Sequence, residues 1–210
     1  MTIFPRKFDC HRNCSSRKYW YVFPSSIMPQ NYFEGRLECL VRLNYILSLF
    51  EGAHFFHNFS RMKEASQKGF HTFQRYVNHF KVRTVFGYKG EEFIILEVEG
   101  QSFIYHQIRK MVAFAIRAIR KDDFSKSELE RCFHRNCDQQ IPLAPSVGLF
   151  LRSVGMSYIK SESALALVDS LLNSPKSESF IDEMILPEIC EKALDEGEFE
   201  DWICSIEDEF

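Results

Sequence analysis

Across residues 100–121 the apolar positions recur with a helical period. At 100° per residue, Ile104, Ile108, Met111, Val112, Ala115, Ala118 and Ile119 fall on one arc. Ser102, His106, Arg109, Lys110, Ala113, Arg117 and Arg120 fall on the other, which is polar and basic apart from one alanine. The pattern predicts an amphipathic helix with cations on its wet side, too charged to span a membrane. Upstream, 75–86 and 91–98 alternate around Gly87-Tyr88-Lys89-Gly90, which predicts an antiparallel hairpin running directly into that helix. Residues 17–24 read as a strand of aromatic and β-branched residues stopped by Pro24, and 36–50 as a helix that Gly52 is placed to end. Residues 61–74 read as a polar, RNA-facing or mobile loop. Residues 126–134 read as a helix capped from 122–125, with Ser127-x-x-Glu130 as a capping box. A closing strand is expected over 144–154.

Charge divides this chain of 210 residues. Residues 1–160 hold 24 bases and 14 acids, a balance of +10, and 161–210 hold 2 bases and 15 acids, a balance of −13. The expected organisation is therefore a basic α/β domain over 1–160 and an acidic tail over 161–210, partly helical or disordered. A basic body suits a polyanion, because each neutralised phosphate releases counterions. Segment 196–210 is the most acidic, and such tails are ordinarily solvated. Folding over a basic groove in competition with RNA is the alternative.

Seven cysteines without an export signal argue for reduced thiols rather than a disulfide framework. Cys10-x3-Cys14, Cys132-x4-Cys137 and His54-x-x-His57 do not match the spacing of structural zinc modules. No metal and no cofactor are expected.

The wording of the helix's first turns, GQSFIYHQIRKMV, resembles the signature of the TruA family of tRNA pseudouridine synthases, in its eukaryotic branch. Three further stretches resemble that family: Arg17-Lys18-Tyr19-Trp20-Tyr21, matching R-x-Y-x-Y; Glu51 to Ser60, EGAHFFHNFS; and APSVGLFL from Ala144. Phe55 and Ala113 stand where the family usually has asparagine and glycine. The resemblance covers roughly 6–155. It implies an α+β, pseudouridine synthase-like fold, an antiparallel or mixed sheet flanked by helices, of which these residues form the second half.

It also implies the chemistry. Pseudouridine formation breaks the C1′–N1 bond of uridine, turns the uracil and rejoins it through C5. By motif position Arg109 is the partner of the catalytic aspartate, holding it ionised. Tyr19 is the tyrosine whose ring packs on the target uracil. Arg17, His106, Lys110, Arg117 and Arg120 are the expected RNA contacts, and tRNA the expected partner, with mRNA or other RNA as extensions. The aspartate's own G-R-T-D-x-G-V-H-A motif does not occur in these residues. Three expectations follow: a partial or truncated chain with an open strand edge, a catalytically inactive RNA-binding module, or a second chain that supplies the carboxylate. Family habit implies the nucleus, with mitochondrion or cytoplasm as alternatives.

Overall fold

The computed structural model describes residues 9, 13–61, 69–121, 123–156, 166, 170, 174–195 and 197–207. Five strands, β1 (Cys14–Pro24), β2 (Gly52–Phe55), β3 (Gln74–Tyr88), β4 (Glu91–Gly100) and β5 (Leu149–Met156), form one sheet in the order β2-β3-β4-β1-β5. Every pairing is antiparallel. The expected hairpin is β3–β4, and its loop is only Lys89-Gly90. Both residues have positive φ, +49° and +88°, the conformation that lets a two-residue turn match strand twist.

Alternation along β1 assigns the two faces of the sheet. Tyr19 and Tyr21 pair in register with Val98 and Leu96, and Trp20 with Glu97. On the tyrosine face lie α1 (Arg36–Ser48) and α2 (Gln107–Arg120), which pack on each other. On the other face Trp20 donates its indole N–H to the buried Glu97 carboxylate at 2.9 Å. Arg83 covers the Trp20 ring at 4.4 Å and Arg152 at 5.3 Å.

Four local details differ from the sequence reading. The helix expected from residue 100 begins at Gln107, because His106 takes a left-handed conformation (φ +69°) that no right-handed helix accommodates. The helix α3 (Lys126–Phe133) is capped by Ser125 and Glu128, two residues before the expected box: Ser125 Oγ accepts from Ser127 N, and Glu128 Oε1 accepts from Ser125 N at 3.0 Å. The final strand starts at Leu149, with 144–148 held as a loop. Gly52 opens β2 at φ +94° rather than merely ending α1.

The acidic segment is helical where it is described, one of the two states expected of it, but it is docked on the sheet. Its described residues include α4 (Pro175–Phe180), a π-helical turn (Ile181–Ile185), α5 (Leu186–Asp195) and α6 (Glu198–Glu207). Most of 161–173 lies outside the described residues, as do most of the basic lead-in before residue 13 and most of the polar stretch after Arg61. The helices are not a solvated tail. Ile189, Cys190, Phe199, Trp202, Ile203 and Ile206 are buried in the same hydrophobic core as the sheet. Phe199, Trp202, Ile203 and Ile206 recur at helical spacing, so one apolar stripe docks while Glu200 and Asp201 stay exposed. α5 packs on β1, and α6 on the 3₁₀ turn Ser25–Ile27. Polar contacts finish the seam: Glu191 accepts from Tyr88 Oη at 2.9 Å and Lys89 Nζ at 2.6 Å, Glu200 from Ser26 at 3.0 Å, and Glu178 pairs with Arg152.

Candidate active site

Three segments meet on the tyrosine face. β1 supplies Tyr19. The turn into α2 supplies residues from Phe103 to Arg109, and the loop before β5 supplies Ser146 and Leu149. Together they line an open cavity of ≈ 500 Å³. Tyr19 meets Phe103 edge to face, centroids 5.7 Å apart. Burial raises the Tyr19 phenol, while nearby Arg17 opposes the shift, so Tyr19 stays neutral at physiological pH and offers a ring rather than a charge.

Arg109 is half-buried on the first turn of α2. Its Nε–H donates to the Ala144 carbonyl at 2.6 Å. That bond uses Nε and fixes the plane of the guanidinium, whose terminal NH₂ groups are the part that grips a carboxylate bidentately; Arg109 itself lines the cavity. No Asp or Glu lines the cavity among the described residues.

The Ala144 carbonyl is held in place by its neighbours. Tyr21 Oη donates to the Pro145 carbonyl at 2.8 Å, and Val22 N to the Gly148 carbonyl at 2.8 Å. Gly148 must be glycine for this approach: a Cβ there would stand 2.2 Å from the Val22 carbonyl and 3.2 Å from the Tyr21 ring. Full burial pushes the Tyr21 phenol well above its usual value, so it remains a donor throughout the accessible pH range. Gln107, buried, accepts from Ile104 N at 3.0 Å and closes the turn ahead of Arg109. Sequence reasoning missed Tyr21 and Gln107 as supports. The signal lay in the second tyrosine of R-x-Y-x-Y and in the residue two places before the arginine.

The other basic residues are placed less openly than a wet helix face would hold them. Lys110 Nζ donates to the Asn58 and Ser60 carbonyls at 3.2 and 2.8 Å, and burial lowers its pKa. Arg120 donates to the Ile27 and Met28 carbonyls, each at 2.9 Å. Arg117 lies 5.5 Å from the Phe114 ring. None of the three lines the cavity. Ala113, counted on the polar arc, is fully buried. Arg17 donates to the Gln101 carbonyl at 3.0 Å and borders a separate surface hollow with Arg75 and Ser102. His106 lines the cavity.

A family model described as tRNA pseudouridine synthase matches residues 46–156. Among curated relatives, Pseudouridylate synthase 1 homolog of Homo sapiens is 30% identical over 211 residues, covering 95% of this chain and 48% of that protein. The Mus musculus homolog is 29% identical over 208 residues, covering 93% and 48%. tRNA pseudouridine synthase A of Methanocella arvoryzae is 29% identical over 162 residues, covering 75% and 52%. The chain thus spans about half the length of these relatives. The matched segment contains the cavity's arginine, the helix that carries it and the closing strand: this chain belongs to the tRNA pseudouridine synthase family.

Proposed function

We propose that this chain forms the base-holding half of a tRNA pseudouridine synthase site. Tyr19 receives the face of a uracil that has left its stack, which offsets part of the unstacking cost. Arg109 grips the catalytic aspartate, which comes from outside these residues, either from a preceding segment or from a second chain. The carboxylate acts at the sugar and the C1′–N1 bond breaks. The uracil turns against Tyr19, C5 bonds to C1′, and the C5 proton leaves. The observation that carries this reading is the anchoring of Arg109: its Nε is bound to the Ala144 carbonyl, and the residue lines one cavity together with Tyr19. His106 and Arg17 are the remaining candidates for RNA contact, with tRNA as the primary substrate, other RNAs as extensions, and the nucleus as the compartment.

The test is tritium release from tRNA carrying C5-tritiated uridine, with this chain alone and with an upstream extension bearing R-T-D. Release only with the extension is expected. Arg109→Ala in the extended protein should abolish release while retaining most tRNA affinity, and Arg109→Lys should not restore it, because lysine lacks the planar fork. Release by the 210-residue chain alone would refute the external carboxylate. A specific observation favours a second reading, an RNA-binding module without catalysis: the described cavity wall carries no acid. Salt-sensitive tRNA binding without release in either form would select it.

A further inference from the structure

The turn into α2 carries an aromatic pair that a lone uracil leaves unused. Tyr105 lines the cavity yet is 56% exposed. Its ring stacks on the His106 imidazole, centroids 3.8 Å apart and planes inclined by 27°. His106 holds a φ of +69°, a region that side chains other than glycine rarely occupy and that persists only when the surroundings enforce it. Two bonds bracket it here: Gln107 Oε1 accepts from Ile104 N, and Lys110 N donates to the His106 carbonyl at 3.0 Å as the first bond of the helix. The strain is not offset by helix capping, since the His106 side chain makes no capping bond. What the strained backbone does achieve is display, setting the imidazole under an exposed tyrosine at the rim of the cavity.

Removing a uridine from its stack leaves the neighbouring base with one bare face. A solvent-exposed ring beside the cavity can replace the lost contact, and stacking tolerates any base because every base has a π-face. We propose that Tyr105, backed by His106, is a second stacking platform that holds the nucleobase adjacent to the target uridine. This rests on the reading of Tyr19 and Arg109 given above. It adds a contact to the flanking nucleotide, the kind of contact through which base-flipping enzymes acquire context preference.

The test is fluorescence anisotropy of the 210-residue chain against a short single-stranded RNA with one uridine, its two neighbours intact or, one at a time, abasic. For the unmodified chain, loss of one of the two neighbouring bases should weaken binding about 10-fold, the scale of one aromatic stack. Tyr105→Ala should weaken binding of the intact RNA about as much, with no further loss on the abasic RNA, and Tyr105→Phe should rescue it. His106→Gly suits the left-handed backbone, so it should melt no earlier than the parent yet bind like Tyr105→Ala. Equal losses on intact and abasic RNA, or no loss in either variant, would overturn the platform. Saturable binding that is indifferent to both abasic positions would overturn it alone. No saturable binding of any of these RNAs would overturn the RNA reading together with it.

Discussion

Replacing Phe199 by alanine tests whether the acidic segment belongs to the folded body. Phe199 is fully buried and sits edge to face on Tyr21, ring centroids 6.3 Å apart. Truncating a buried Phe removes its transfer free energy and leaves a cavity, about 3–5 kcal/mol in well-packed cores. The stability of a whole domain is about 5–15 kcal/mol, so the variant should lose a large share of it. For a chain of this size each kcal/mol lowers Tm by about 2–4 °C, giving an expected fall of roughly 6–20 °C. Urea unfolding followed by tryptophan fluorescence reports the same event, because Trp202 lies on the same helix. Cys204→Ala, on the exposed side of α6, is the control and should stay within about 0.5 kcal/mol of the parent. If Phe199→Ala behaves like that control, α6 is not docked on Tyr21.

Three further outcomes are expected. Burial alone would raise the Glu97 carboxyl, but the Trp20 indole N–H and the neighbouring Lys18, Arg83 and His79 side chains more than offset it and hold its pKa low. A depressed folded pKa contributes stability above the usual carboxylate range that disappears as pH falls through the folded value. Urea midpoints should therefore drop on acidification, and Glu97→Gln should lower the neutral-pH midpoint while flattening that drop; an unchanged acid limb would refute the linkage. Gly148→Ala drives a Cβ against the Val22 carbonyl and should cost about 1–3 kcal/mol or more, read by thermal melting; a neutral outcome would mean that the loop does not approach β1 so closely. Burial first of all pushes the Cys132 and Cys190 thiols up to about 11 and about 12, whereas Cys204 is exposed. At about pH 8 a thiol reagent should modify Cys204 before either buried cysteine, as mass spectrometry would show, and early modification of Cys190 would contradict the docking of α5.

Much of this architecture was legible where the signal is local. The β3–β4 hairpin follows from alternation around a short glycine-containing turn, and α1 from helical spacing. Arg109 and Tyr19, picked out by motif, do line one cavity. Reading failed where the outcome depends on what packs from elsewhere. Periodicity marks residues 101–106 as helical, but it does not report the left-handed backbone at His106 or the local side-chain bond from Gln107 to Ile104 N that closes the turn there. Lys110 and Arg120 look solvated in projection because their charges are counted and their long stems are not. In the fold they staple carbonyls of distant loops. Composition misjudged α6 in the same way: net charge hid a four-residue apolar stripe that helical spacing alone would have shown. Gly148 could be ranked above other glycines only once Val22 was seen beside it.

The position of β1 in the sheet has a consequence for the order of assembly. Its register pairs Tyr21 with Leu96 on one side and with Leu149 on the other, so this interior aromatic strand has only distant partners. Contacts of such long sequence separation form slowly, since loop closure precedes their reward. During synthesis β3 and β4 can zip as a local hairpin, while both edges of β1 wait for chain still to be made, an interval in which an unpaired aromatic strand is exposed to aggregation. The Tyr21–Pro145 and Val22–Gly148 bonds that steady Arg109 cannot close until the loop before β5 has emerged. The cavity is therefore among the last parts of the molecule to take shape, and slow translation or chaperone capture late in the chain would determine how much of it forms.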